Sequence, residues 1–188
     1  DAVIVSACRT PIGSFGGQLK DLTAVDLGAV VIREAIARAK VSPAEVGDVI
    51  LGCVLQAGAG MNVARQAALK AGLPIEVPAE TINRVCGSGL QAVAHAVEAL
   101  HMGYLEVVVA GGTESMSNAP YLLKGARWGY RMGHAEVTDV MLDEGLTCAM
   151  SSCHMGITAE EIATRYCISR ADQDQFAAQS QDRAQRAI

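Results

Sequence analysis

Aromatic side chains are scarce in this sequence of 188 residues, which has two Phe, one Trp and four Tyr. It also lacks a basic block, since 15 Lys and Arg stand against 20 Asp and Glu, and the net charge is −5. Phosphate backbones bind clustered Lys and Arg, so we expect no nucleic-acid partner. No apolar run reaches the roughly 18 residues that a membrane span requires. We therefore also expect no membrane partner.

The cysteines lack the C-x-x-C spacing that is typical of zinc and redox motifs. The six are Cys8, Cys53, Cys86, Cys148, Cys153 and Cys167. Scattered cysteines in an apolar chain indicate free thiols in a reducing compartment, so we expect a cytoplasmic protein. The sequence begins at Asp1, so we leave open the alternative that an organelle targeting segment was removed before it. A zinc site formed by Cys148, Cys153, His154 and Cys167 is conceivable, but its spacing matches no common site, and we expect no metal.

What the chain does have is an alternation of strand and helix patterns over its first 112 residues. Apolar runs predict strands at 2–5, 49–54, 81–85 and 107–110. Thr23 with Asp26 predicts a capping box, and Asn62 and Gly72 predict the two ends of a short helix. Apolar strands between helices imply a sheet covered on both faces, hence a layered α/β fold.

Beyond residue 115 the composition changes. Residues 115–134 combine many helix-breaking and basic residues, so we expect an irregular excursion from the sheet. Thr158 with Glu161, and Ser169 with Asp172, predict two further capped helices. We therefore predict an α/β domain over 1–115 and part of a second, loop-rich domain over 116–188.

Cys86 stands between an extended segment and a predicted helix that ends near Gly103. An arbitrary free cysteine is usually a small buried hydrophobe. At a helix start, however, unpaired N–H groups and the helix dipole favour a thiolate and can also hold the oxygen of a tetrahedral intermediate. Gly87 and Gly89 would allow a substrate to approach the backbone. A regular apolar spacing (Leu90, Val93, Val97, Leu100) describes one apolar face of that helix. Acyl transfer through Cys86 is therefore the sharper hypothesis.

The segment around Cys86 resembles the nucleophile segment of the thiolases. Further stretches agree in order along the chain: 7–15 (ACRTPIGSF), 62–68 (NVARQAA), 83–92 (NRVCGSGLQA) and 110–117 (AGGTESMS). The stretch 153–156 (CHMG) is similar to the short-chain subgroup of that family. The resemblance implies a layered thiolase fold, of which this chain is the N-terminal half with the beginning of an inserted loop domain.

The resemblance also implies an activity. Cys86 would attack acetyl-CoA, and the acetyl-cysteine would condense with a second acetyl-CoA to give acetoacetyl-CoA and coenzyme A, reversibly. His154, Met155 and Leu146 would line the acyl and pantetheine pocket. The thioesters would be substrates, so no cofactor is expected, and the family implies a homodimer or homotetramer.

Part of the family's machinery is expected outside these residues. The resemblance places a Gly-His-Pro histidine, an oxyanion asparagine and a second cysteine in a C-terminal half, and none of these has a counterpart here. His95, His101 and His134 do not match that histidine, so we expect the 188 residues alone to lack the base. Alternatives therefore stay open: a non-catalytic fragment or CoA-binding scaffold, a longer-chain 3-ketoacyl-CoA thiolase or a ketoacyl synthase.

Overall fold

A computed structural model describes residues 1–187. The chain forms two compact units, one comprising residues 1–145 and the other beginning at Leu146. Within the described residues, no helix combines the length and apolar character needed to cross a membrane. The predicted domain boundary after residue 115 concerns the organisation of a larger fold, and it stays a prediction.

A parallel sheet of three strands forms the centre of the first unit. The strands are β1 (Asp48–Gly52), β2 (Ala79–Ile82) and β3 (Val108–Gly112), in the spatial order β2-β1-β3. In this register Val49 lies opposite Ala79 on one side and Val109 on the other. The predicted α/β class is confirmed.

Helices cover both faces of this sheet. Helices α1 (Ala24–Ala39) and α2 (Val63–Ala71) share one buried cluster with Val49 and Leu51 of β1. On the opposite face, Ile50 packs against α3 (Ser88–His101). Because alternate residues of a strand point to opposite faces, β1 contributes to both cores, and these strand residues are almost fully buried.

The predicted helix ends in the first unit are confirmed. The Thr23 side chain accepts from the Asp26 N–H while Asp26 accepts from the Thr23 N–H, which forms the predicted capping box of α1. Asn62 caps α2, and Gly72, at φ 97°, ends that helix in the left-handed conformation that glycine adopts without strain.

The predicted strand at residues 2–5 is wrong. This segment forms no regular element, and Val3, Ile4 and Val5 are largely exposed. A cavity of 610 Å³ lies between the segment, helices α1 and α3, and the edge of β3. A strand requires hydrogen bonds to a neighbour. In the described residues β3 has no partner on this edge, so the β propensity of the segment is not realised.

The apolar face described from the sequence of α3 is not the face that packs on the sheet. The residues buried on the sheet are the small ones, Ser88, Ala92 and Ala96, whereas Leu90 is 77% exposed. Val93, Val97 and Leu100 border the cavity instead. Small side chains on the inner face let the helix approach the sheet closely, which the larger apolar residues would prevent.

The excursion after residue 115 is irregular, as predicted, and it is hydrogen-bonded to the loop that precedes α1. Its short strand β4 (Tyr121–Leu122) pairs antiparallel with β5 (Thr138–Asp139). The Asn118 side-chain amide donates to the carbonyl oxygens of Lys20 and Leu22 at 2.7 and 3.0 Å. A π-helical segment follows at Met141–Leu146.

Two helices end the described part of the second unit, α4 (Met155–Arg165) and α5 (Arg170–Arg186). Ser169 and Asp172 form the predicted capping box of α5. The predicted Thr158 cap of α4 is wrong, because the helix begins earlier and His154 is its N-cap. The Thr158 hydroxyl donates to the Met155 carbonyl instead, a local bond available to threonine inside a helix.

Candidate active site

Cys86 lies in a tight turn between β2 and α3. Hydrogen bonds from the Gly87 N–H to the Arg84 carbonyl (3.1 Å) and from the Ser88 N–H to the Val85 carbonyl (3.0 Å) close this turn. Val85 adopts φ 48°, which is unfavourable for a β-branched residue. Such outliers concentrate at functional sites, where the surrounding structure enforces them. The turn leaves Cys86 exposed.

The Ser88 side chain stabilises this turn with two hydrogen bonds. Its side-chain oxygen accepts from the Arg84 N–H at 2.8 Å, and its hydroxyl donates to the Val85 carbonyl at 2.6 Å. Ser88 is only 4% exposed, so both bonds are largely shielded from water. The side chain thereby links the residues on the N-terminal side of Cys86 to the first residue of α3.

Glycines allow α3 to approach the sheet at this point. A Cβ added to Gly52 would lie 2.5 Å from the Ser88 carbonyl carbon, far inside van der Waals contact. A Cβ added to Gly112 would lie 3.3 Å from the Gly89 Cα. Sequence reasoning missed Gly52 and Ser88 as site residues. A glycine ending an apolar strand is the signal that could have identified the close approach.

The position of Cys86 suits nucleophilic chemistry. Among residues 1–187, the backbone N–H of Cys86 has no hydrogen-bond acceptor. The positive end of the α3 dipole begins next to it. A free N–H beside a nucleophile can bind the oxygen that becomes negative during acyl transfer. The arrangement can therefore stabilise an acyl-transfer intermediate.

Cys53 has a different environment, although it belongs to the same unit. It is buried, and its thiol lies 3.5 Å from a carboxylate oxygen of Glu114. Glu114 also accepts from the Val54 and Leu55 N–H groups at 2.9 and 3.1 Å, so its carboxylate fixes the loop after β1. Burial and the Glu114 charge raise the pKa of Cys53 to about 12. Cys53 is therefore a core thiol.

The three predicted pocket residues lie in one hairpin of the second unit, residues 146–155. Thr147 forms an isolated antiparallel bridge with His154, and Leu146 and Met155 are the next residues on the two arms. The His154 ring accepts from the Gly156 N–H at 3.0 Å through Nδ1, which fixes the ring at the start of α4. His154 is exposed, while Leu146 and Met155 are half-buried. Their roles toward a substrate stay predictions.

Metal binding finds no support in the described residues. No group of three or more His, Cys, Asp or Glu side chains within 1–187 could hold a metal ion. His95 lies on α3, the helix that follows Cys86, and its Nδ1 is 3.6 Å from the Glu80 carboxylate.

Comparisons with known proteins agree with this geometry. The family model for the N-terminal domain of thiolase matches residues 2–188. The chain belongs to the thiolase family. The acetyl-CoA acetyltransferase of Cupriavidus necator is 56% identical over 187 residues, which cover 100% of this chain and 48% of that protein. The enzymes of the same name from Pseudomonas aeruginosa and Escherichia coli are 53% and 54% identical, again over 100% of this chain and 48% of each relative.

This thiolase chain thus spans about half the length of the curated relatives that it matches. The match to the family model includes both the turn that carries Cys86 and the hairpin that carries His154 and Met155.

Proposed function

We propose that the protein carrying this chain is an acyltransferase that condenses two acetyl-CoA molecules to acetoacetyl-CoA and coenzyme A, reversibly. The observation that carries the proposal is the exposed Cys86 at the start of α3, with its backbone N–H free among the described residues. Relatives named acetyl-CoA acetyltransferase, at 53–56% identity, support the choice of reaction. No cofactor enters this reaction, since the CoA thioesters are its substrates.

Cys86 forms the acyl intermediate. Its thiolate attacks the thioester carbonyl carbon, the carbonyl oxygen becomes negative, and the coenzyme A thiolate then leaves. The Cys86 N–H and the positive end of α3 stabilise that oxygen. The turn bonds made by Ser88 hold the attacking sulfur in one orientation, which lowers the entropic cost of the step.

The hairpin of the second unit supplies the acyl and pantetheine pocket. Leu146 and Met155 offer half-buried apolar surface, and His154 offers a ring already oriented by the Gly156 N–H. Few polar groups among apolar side chains are typical of small-molecule sites. This assignment supports a short acyl group and disfavours the longer-chain 3-ketoacyl-CoA alternative.

The excursion serves subunit association, in a homodimer or homotetramer. Tyr121, Trp128 and Met132 are 65%, 86% and 96% exposed, an apolar surface that a monomer rarely presents to water. Replacing Trp128 by Asp should lower the order of the oligomer in sedimentation experiments. Tyr104→Asp is the control, because Tyr104 is 75% exposed but lies outside the excursion. Equal assemblies for both variants would refute this role.

The cytoplasmic location stays a prediction.

The test of the reaction is the replacement of Cys86. With acetoacetyl-CoA and coenzyme A as substrates, Cys86→Ser should lower kcat by about 10⁴-fold or more, as expected for loss of a catalytic nucleophile. Mass spectrometry after incubation with acetyl-CoA should find an acetyl group on Cys86 in the parent protein. Cys167→Ser is the matched control, because Cys167 is also exposed. An active Cys86→Ser variant would refute the mechanism, whereas binding of coenzyme A without turnover in the parent would favour the scaffold alternative.

A further inference from the structure

Two cysteines lie directly opposite each other at the end of the hairpin in the second unit. The Cys148 N–H donates to the Cys153 carbonyl at 2.9 Å, one step beyond the Thr147–His154 pair. The Cys148 carbonyl accepts from the Ser152 N–H at 2.7 Å, which closes the turn between the two cysteines. Opposed residues of an antiparallel pair have Cα atoms about 4.5–5.5 Å apart and side chains on the same face. Disulfides join Cα atoms about 4.4–6.8 Å apart, so this register brings the two cysteines within reach of one bond.

The Ser151 side chain interacts with both cysteines of this turn. Ser151 Oγ lies 2.9 Å from the Cys153 sulfur. A hydrogen bond from the same side chain also lowers the pKa of Cys148. Both cysteines are partly exposed, and Ser152, at φ 54°, closes the tight turn between them. A small reagent in solution can therefore reach either sulfur.

We propose that Cys148 and Cys153 form a dithiol site that exchanges with low-molecular-weight disulfides and closes into a reversible intramolecular disulfide. The proposal uses neither Cys86 nor the acyltransferase activity. The cross-link would close the end of the hairpin whose next two residue pairs contain His154 and Met155. It would therefore restrain the segment at the start of α4.

Cys148 is the attacking thiol. Hydrogen bonds from the Ser151 hydroxyl, then from the Ser151 and Met150 N–H groups, lower the pKa of Cys148 below its ordinary value. A larger thiolate fraction speeds attack on a disulfide. The Cys148 thiolate attacks one sulfur of the reagent, whose S–S bond breaks, and one thiolate leaves. Cys153 then gives its proton to solvent and attacks the Cys148 sulfur, releasing the second thiolate. Two cysteine thiols lose two electrons and two protons, and the reagent is reduced to two thiols.

The test uses the whole protein in buffers with a series of ratios of reduced to oxidised glutathione. After acid quenching and alkylation with iodoacetamide, trypsin releases residues 132–165, a peptide whose only cysteines are Cys148 and Cys153. Alkylation of both cysteines should be lost together, with one midpoint, as the buffer becomes oxidising. Cyanogen bromide, which cleaves after Met150, should leave the fragments 142–150 and 151–155 joined until a reductant is added.

Variants separate this site from nonspecific oxidation. Cys148→Ser and Cys153→Ser should each leave a single glutathione on the remaining cysteine, while Cys167→Ser should close the Cys148–Cys153 bond as the parent does. Ser151→Ala should slow closure. Persistent glutathione adducts on both cysteines of the parent, a bond from Cys148 to Cys167, or two cysteines that stay alkylated in oxidising buffer would each overturn the proposal.

Discussion

Gly52 at the end of β1 lies directly against Ser88, the first residue of the helix that follows Cys86. An added Cβ at Gly52 would come within 2.5 Å of the Ser88 carbonyl carbon and 2.6 Å of the Gly89 nitrogen. Both neighbours are backbone atoms, which cannot rotate away as a side chain could. The absence of a side chain at Gly52 therefore sets the distance between the sheet and the turn that carries the nucleophile.

Gly52→Ala should consequently weaken both the fold and the site. We expect the free energy of unfolding to fall by about 1–3 kcal/mol, the usual cost of overpacking a core, and Cys86 acylation to slow. The control is Gly111→Ala on the neighbouring strand, where the nearest atom to an added Cβ is the Leu51 Cδ2 at 4.0 Å. Urea unfolding measures the first effect and mass-resolved acetylation the second. Equal results for the two variants would contradict the close-approach argument.

Ser88→Ala should destabilise the turn at Cys86 by removing hydrogen bonds, whereas Gly52→Ala acts by adding a methyl group. The Arg84 N–H would lose its acceptor, and the Val85 carbonyl would keep only the Ser88 N–H, at a cost of about 1–3 kcal/mol. Acetylation of Cys86 should slow because its orientation is less restricted. Ser42→Ala is a suitable control. The Ser42 side chain also accepts a backbone hydrogen bond, from the Ala44 N–H, but it caps a short helical turn that is distant from Cys86 in the sequence. A Ser88→Ala protein that loses stability but acetylates at the parental rate would show that this serine has no positioning role.

The parts predicted correctly from sequence are those decided by neighbouring residues. The capping boxes at Thr23 and Ser169 and the glycine end of α2 each depend on side chains within a few positions. The predicted strand at 2–5 failed because a strand also needs a partner, which β propensity cannot reveal. Gly52 and Ser88 were missed for a similar reason, because their contact joins two elements distant in sequence. Cys86 could be proposed from sequence because its setting is local, and the structure confirms that a helix begins just after it.

Cys53 should react much more slowly than an exposed cysteine with thiol reagents near neutral pH. A pKa of about 12 keeps Cys53 protonated throughout the neutral range, since a raised pKa favours the thiol until the pH approaches that value. Limiting iodoacetamide near neutral pH should therefore label Cys86 in preference to Cys53, as peptide mapping can measure. In Glu114→Gln the pKa of Cys53 should fall but stay above its ordinary value of 9.0, because burial is the larger cause. In urea all six cysteines should label. Rapid labelling of Cys53 in the folded protein would contradict this account.

Acid stability should depend on the pairing of Asp26 with Lys70. The hydrogen bond from Lys70, followed by those from Thr23, lowers the pKa of Asp26 from its ordinary value of 3.8 to about 2. Because the folded state binds this proton more weakly than the unfolded state, the stabilisation is complete above about pH 4 and is lost as the pH falls to about 2. In Lys70→Met the pKa of Asp26 should rise, and the stabilisation should be smaller. Unfolding by urea between pH 2 and 6 measures it, with Lys20→Met as the exposed-lysine control. Parallel pH curves for Lys70→Met and the parent would contradict the pairing.

Met155 should limit the length of the acyl group that the protein accepts. It is half-buried at the first position of α4, directly after His154, and this placement supports an apolar side chain at the proposed acyl pocket. Met155→Ala removes that volume and leaves the backbone cap of the helix intact, since the capping atom belongs to His154. Each additional methylene that enters a new apolar space contributes about 0.8 kcal/mol, or roughly fourfold in kcat/KM. The two substrates differ by two methylenes, so the ratio of kcat/KM for 3-ketohexanoyl-CoA to that for acetoacetyl-CoA should rise up to about fifteenfold, while acetyl transfer changes little. Met150→Ala is the matched control, because Met150 is 91% exposed at the tip of the same hairpin. An unchanged chain-length profile in Met155→Ala would remove Met155 from the pocket.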